Sequence, residues 1–383
     1  MGSIAVGGSL AQRPGYGGHA WALLNYLLGF RQLGYDVIFL DRLTPEMAVD
    51  AAGRPSAAAR DRCIRWVVDV MDGAGLDDCY SLFLGDGDET VGLSRARAVE
   101  QVGDSSLLLN VMGFVDDEDV LAASPSNVFL DIDPGFGQMW RELGLHDAFD
   151  GHDAFVTVGE RIGAADCLVP TCGLDWVTTP HPLVLDQWPC TGEGTRITSV
   201  GSWRGPYDPV EYEGRRFGLR AHELRKLLPL PTLVEDELEL ALDIDPADRS
   251  DIEALLENGW ELSDPAVVAS DPSTYRNYIE ASRAELMVAK GIYVDTRSGW
   301  FSERSIAYLA SGKPVIAQDT GFSDRYPCGE GLIAFSDLDG ARQGIEDVCA
   351  DWPQHSQAAR EIAEEHFEAG KVLKRLLEKL GSA

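Results

Sequence analysis

The chain has 383 residues, 45% of them apolar and 25% charged, and carries a formal net charge of −31. That charge argues against a nucleic-acid backbone or an anionic membrane as partner, and no apolar run approaches the ~20 residues that span a bilayer. The composition is that of a soluble globular protein, and the length predicts two domains of about 150–200 residues each.

Residues 3–7 read as a first strand and 8–18 as a loop rich in glycine. A helix follows, with Trp21, Leu24, Leu27, Leu28 and Leu33 apolar and Gly34 at its end, and then a strand over 36–40 that closes in Asp41. Strand, glycine loop, helix and strand make a right-handed βαβ start to an α/β domain. Within it, Gly15-Tyr16-Gly17-Gly18-His19-Ala20 fits G-x-G-x-x-A, with Asp41 placed 21 residues after Ala20 as in a dinucleotide fingerprint. Seven residues (8–14) separate that glycine turn from the strand it should follow at once, so an NAD-dependent dehydrogenase is the weaker reading.

Further along, 57–71 reads as a helix and 80–84, 106–111, 127–131, 154–158 and 176–178 as short strands, an alternation that means a parallel sheet covered on both faces. The stretch 186–194 (DQWPCTGEG) is the best linker. A new βα unit starts at Arg196, followed by the turn Gly201-Ser202-Trp203-Arg204-Gly205 and a helix near 219–228. A strand over 233–244 and helices over 248–259 and 273–283 come next. Residues 286–289 form a buried run, and Ser298-Gly299-Trp300-Phe301 a turn. Ser302 suits an N-cap for a helix over 303–310, which Ser311-Gly312-Lys313-Pro314 ends before a strand at 314–318 and the loop Asp319-Thr320-Gly321. Exposed amides at such a helix start, at the carboxyl edge of a parallel sheet, can hold a phosphate. The end, 357–380, reads as one amphipathic helix.

The seven cysteines, at 63, 79, 167, 172, 190, 328 and 349, form no CxxC pair, so neither a disulfide framework nor a zinc site is expected and reduced thiols in a cytoplasm fit best. The opening MGSIAVGGSL lacks a basic n-region, and Val6 stands where N-myristoylation needs Ser or Thr, so neither a signal peptide nor a lipid anchor is expected. Asp86-Gly87-Asp88, Asp131-Ile132-Asp133 and Asp243-Ile244-Asp245 mimic a DxD metal site. With 63 acidic residues such triplets arise by chance, and no metal is expected.

The Gly-Trp-Phe-Ser turn at 299–302, the short helix, Leu309-Ala310-Ser311-Gly312-Lys313-Pro314-Val315-Ile316 and Asp319-Thr320-Gly321 resemble the donor-site region of GT-B glycosyltransferases. The resemblance implies two Rossmann-like domains facing across a cleft: 1–188 for the acceptor, 195–353 for a nucleoside-diphosphate sugar, and a terminal helix, 354–383, crossing back. It implies a hexosyltransferase with a nucleotide-sugar donor, a small-molecule hydroxyl acceptor and no cofactor. A nucleotide-sugar epimerase or a non-catalytic binding protein of the same fold is the alternative. Many retaining members carry a glutamate five residues before the glycine, where this chain has Ala307. Glu303 lies one helical turn earlier.

The resemblance further implies roles. His19 takes the place of a general-base histidine, with Asp133 as the carboxylate that orients it (Asp131 second) and Gly17 and Gly18 as loop contacts for the acceptor. Ser202, Trp203, Arg204, Lys290, Gly299, Trp300, Phe301, Ser302, Glu303, Asp319, Thr320 and Gly321 form the donor site, with Arg204 and Lys290 the cations for the diphosphate.

Overall fold

The computed structural model describes residues 2–50, 52–85 and 87–381. Asp86, which opens the first of the three acidic triplets, lies outside the described residues. The first sheet has eight strands: β1 (Ser3–Gly7), β2 (Asp36–Leu43), β3 (Tyr80–Leu84), β4 (Thr90–Gly92), β5 (Leu108–Val111), β6 (Asn127–Asp131), β7 (Ala154–Thr157) and β8 (Trp176–Thr178). Their order is β4-β3-β2-β1-β5-β6-β7-β8, parallel throughout except for the β3–β4 edge pair. The strand order reverses at β1, which pairs β2 on one side and β5 on the other. Loops leaving the carboxyl ends of strands at such a point diverge and open a crevice, and the glycine-rich loop after β1 lies there.

The chain passes through residues 179–196 to a second sheet, made of β9 (Ile197–Ser202), β12 (Leu238–Asp243), β13 (Glu261–Leu262), β14 (Ala284–Met287), β15 (Val315–Gln318) and β16 (Leu332–Phe335). It is wholly parallel in the order β13-β12-β9-β14-β15-β16. A small hairpin, β10 (Val210–Tyr212) with β11 (Arg215–Phe217), stands apart from it. The hairpin, β4, β13, β16 and a helix at Gly291–Thr296 were not expected from the sequence. Each is at most six residues long, too short for a hydrophobic period to declare itself.

Helix Gly17–Gln32 is buried on most of its surface, because the sheet, helix Pro272–Ala281 and helix Ala369–Lys379 all pack on it. The apolar core runs from one half into the other. Trp21 of this helix meets Trp188 of the connecting segment at 5.1 Å, and Trp188 meets Tyr275 of the second half at 6.3 Å.

The terminal segment is a correction to the expected single helix over 357–380. Helix Trp352–Ile362 gives way to a wide turn at Ala363–Phe367, and a separate helix begins at Ala369. The break falls where the chain crosses back to the first half: Leu183 N donates to Phe367 O, and Ala369 N donates to Leu183 O. The Glu368 carboxylate accepts from Gly370 N and Lys371 N and caps the new helix. That helix then lies against Gly29, where a Cβ would come within 2.6 Å of Leu373.

Candidate functional site

A cavity of about 1090 Å³ opens between the carboxyl edges of the two sheets. On the side of the first sheet its wall is the loop after β1. Asp41, at the carboxyl end of β2, is buried and its carboxylate accepts from Ala11 N at 2.6 Å and Arg42 N at 2.7 Å; burial pushes its pKa up to about 7. The acid that a dinucleotide fingerprint would offer to a ribose is thus spent on holding this loop, which removes the structural basis of the dehydrogenase reading. Gly17 N donates to Ala269 O across the halves at 2.8 Å, and a Cβ on Gly17 would overlap the Asp271 carbonyl oxygen. Trp21 Nε1 donates to Pro272 O nearby. Gly18 lines the cavity beside the Tyr275 ring.

His19 sits in the first turn of the helix that starts at Gly17, with Nε2 at 3.2 Å from Ser9 O. Burial first, and then the nearby Arg13, push its pKa down to about 4. The ring is therefore neutral near pH 7, with the proton on Nε2 donated to Ser9 and the Nδ1 lone pair left over. The carboxylate expected to orient it does not do so. Asp133 is held by Lys290 Nζ, 2.8 Å from both oxygens, and by the Tyr293 hydroxyl. Asp131 is also committed, to Gln138 Nε2, Thr157 Oγ1 and Asp133 N. The orienting role assigned to Asp133 is corrected: a cation and a phenol nearer to it than the imidazole claim both oxygens.

The cations on the second side fall into two groups. Arg204 lines the cavity but is locked in a bidentate pair with Asp248 at 2.6 and 2.7 Å. Lys290 lies among the rings of Phe136, Tyr207 and Tyr293, with Asp133 its one counter-charge among the described residues. Two arginines that were not expected complete the wall. Arg220 is 8% exposed; its Nη1 donates to Ser202 O, and its Nε has no partner among the described residues. Arg304 gives Nε to the fully buried Glu285 and leaves one Nη2 unpartnered. A Cβ at Gly201 would collide with Arg220 and approach Arg304 Nη1 to 3.5 Å, so glycine at the end of β9 lets both guanidinia come up to the strand edge.

Both arginines occupy the first turn of a helix, where a cation opposes the macrodipole. That misplacement was the signal in the sequence: a cation at a helix start is there for something other than the helix.

Among the other expected donor residues, Ser202, Trp300, Ser302 and Glu303 line the cavity. Ser302 caps the Glu303–Ala310 helix, its Oγ accepting from Arg304 N. Trp300 lies against Tyr293 with ring centres 4.4 Å apart. Trp203 touches the cavity, but its ring belongs to the core beneath β9, and Nε1 donates to Asp251. Five residues lie away from the cavity. Phe301 packs among Phe322, Tyr326 and Phe367. Gly299 and Gly321 accommodate the side chain of Arg161, and Thr320 Oγ1 donates to Trp300 O. The Asp319 carboxylate is occupied by Gly321 N and by Ser323. These five shape the turn that presents Trp300 and Ser302; in this structure they do not face the cleft. Among the described residues no group of three or more His, Cys, Asp or Glu side chains has metal-binding geometry, and no helix is long and apolar enough to cross a membrane.

No family model matches the chain, and no curated protein matches it. Solved structures do. The chain is similar to Anabaena HepE, solved with UDP and glucose, with 11% identity over all of both chains and a TM-score of 0.59. It is similar to the sucrose-phosphate synthase of Thermosynechococcus elongatus, with 12% identity, full coverage of both chains and a TM-score of 0.58. An alpha-glucosyltransferase solved with UDP gives 10% identity, full coverage and a TM-score of 0.57. At these identities the likeness establishes the architecture, which is the GT-B fold.

Proposed function

We propose that the protein is a glycosyltransferase that moves a hexose from a nucleoside-diphosphate sugar to a hydroxyl acceptor. The observation that carries this reading is the partly unpaired Arg220–Arg304 wall at the end of β9, which lines the same cavity as Lys290 and Ser302. Buried guanidinium N–H groups without acceptors are costly unless a ligand supplies them. A diphosphate does so with charge-assisted bonds, and on a chain of net charge −31 such a concentration of cations is a specific provision. The full-length likeness to proteins solved with UDP and with UDP-glucose supports the same ligand class.

In this reading the acceptor oxygen attacks the anomeric carbon as the bond from that carbon to the phosphate oxygen breaks. The leaving diphosphate takes the electron pair, and Arg220 and Lys290 hold its charge. The acceptor proton passes to Nδ1 of His19. An imidazole of such low basicity takes it late, once formation of the new C–O bond has acidified the hydroxyl. Arg204 has a lesser part than its position in the sequence suggested, since Asp248 already neutralises it. The acceptor is a small neutral hydroxyl compound, in keeping with the acidic surface.

The test is a thermal-shift screen with UDP, GDP, ADP, CDP and dTDP, followed by acceptor-dependent release of the nucleotide from its sugar conjugate. A ligand that binds only the folded state raises the melting temperature by mass action. No shift with any of the five overturns the reading. Binding without acceptor-dependent release reduces it to a binding protein or an epimerase.

A further inference from the structure

His181 follows β8 between Pro180 and Pro182, and no motif in the sequence singles it out. It is 3% exposed, it lines the cavity, and neither ring nitrogen has a hydrogen-bond partner among the described residues. A buried imidazole with both nitrogens idle is unusual, because each forgoes the bond it made to water. It is also held in place. The flanking prolines restrict its backbone, and Leu183 is tied on both sides to the crossing terminal segment.

Glu303 faces it, with Oε2 at 3.9 Å from His181 Nε2. That is too far for a hydrogen bond. It is the right separation for both to reach one oxygen: an atom about 2.8 Å from each would see them at an angle of roughly 90°.

Glu303 is the first residue of its helix, where a carboxylate complements the macrodipole and the nearby Arg220 and Arg304. Its side chain lines the cavity beside the neutral His181, so a group that can both donate and accept is what the two can share. A sugar hydroxyl both accepts and donates. It would take a hydrogen bond from the neutral imidazole and give one to the carboxylate, satisfying two groups that protein atoms leave unsatisfied. Burial lowers the basicity of His181 and keeps it neutral against the opposing pull of Glu303.

We propose that His181 and Glu303 together grip one hydroxyl of the transferred sugar and so select donors that carry it. The inference rests on the reading of the cavity as a nucleotide-sugar site. Both are positioning residues for the sugar; neither is assigned a part in bond breaking.

The experiment titrates wild type, His181→Phe, Glu303→Gln and the double variant with UDP, GDP, ADP, CDP and dTDP and with the glucose conjugate of each. In wild type the conjugate of the nucleotide that binds should bind about tenfold tighter than the nucleotide alone. Each single variant should lose most of that gain; His181→Phe should keep its affinity for the bare nucleotide within about twofold of wild type, and Glu303→Gln, which removes a negative charge beside the two arginines, should keep or raise it. The double variant should lose no more than the worse single one, because the two act on one hydroxyl. Variants that keep the gain, or a wild type with no gain, overturn the proposal while nucleotide binding still stands. A wild type that binds none of the five nucleotides overturns the underlying reading and this inference with it. A role confined to packing would lower stability or weaken nucleotide and conjugate alike, and that pattern also overturns it.

Discussion

Lys290 Nζ stands 2.8 Å from both carboxylate oxygens of Asp133, so one residue from each half closes an ion pair across the cleft. A diphosphate that takes up Lys290 must compete with that carboxylate. Asp133→Asn keeps the shape and removes the competitor, and nucleoside-diphosphate affinity should rise several-fold. Lys290→Ala should lower it by about 10- to 150-fold, the equivalent of roughly 1.5–3 kcal/mol for a charge-assisted hydrogen bond. Calorimetric titration of both variants checks the pair. Weaker binding by Asp133→Asn would show that Asp133 steers Lys290 to the ligand instead of withholding it.

Arg220 and Arg204, two of the arginines lining the cavity, should differ. Arg220→Met retains volume and removes the partly unpaired guanidinium, so nucleotide affinity should fall at least tenfold. Arg204→Ala removes a guanidinium that Asp248 already holds, and affinity should stay within about twofold of wild type. Equal losses in the two variants would mean that Arg204 leaves Asp248 for the ligand.

His19 is testable by turnover and by pH. In single-turnover transfer with donor and acceptor saturating, His19→Ala should lose about 10²–10⁴-fold in rate if the imidazole accepts the acceptor proton. Donor affinity should be nearly unchanged, and His19→Gln should not restore the rate. Wild-type-like transfer by the Ala variant would end that role.

Stability supplies the second readout. The folded pKa of His19 is about 4, below the ordinary 6.5, so between these values the unfolded chain binds more protons than the native one. Stability therefore rises with pH from about 4 to 6.5, and His19→Gln should flatten that part of the profile. Urea midpoints of both proteins across this window make the comparison. An unchanged slope would mean that His19 is as basic in the native protein as in the unfolded chain.

The docking of the glycine loop predicts a steric penalty. Gly17→Ala places a methyl group against the Asp271 carbonyl, where backbone on both sides resists movement. Overpacking of this kind costs about 1–3 kcal/mol, visible as a lower denaturation midpoint. Gly15→Ala, where the added methyl meets open space, carries no such clash, although its positive φ of 89° adds backbone strain. A Gly17→Ala variant as stable as wild type would mean that the loop can lift from the second half.

Much of the architecture was legible in the residues alone. The βαβ start, the later strands of the first sheet, the restart at Arg196 and the Ser302-capped helix all rest on local rules of period, cap and breaker. Those rules act over a few residues, so the chain states them directly. The single helix expected at the end failed because the break at Glu368 answers to Leu183, nearly two hundred residues earlier, and no local pattern encodes such a partner. The site divides the same way. Lys290, Arg204, Ser302, Trp300 and His19 could be placed on the cavity wall from the sequence because each follows a strand or opens a helix near a sheet edge. Which of them is free was beyond the sequence, since Arg204 is neutralised by Asp248 and Asp133 by Lys290 only when distant segments meet. His181, and the unpaired part of Arg220, emerge only from tertiary burial, because an idle hydrogen-bonding group is defined by the neighbours that folding fails to give it.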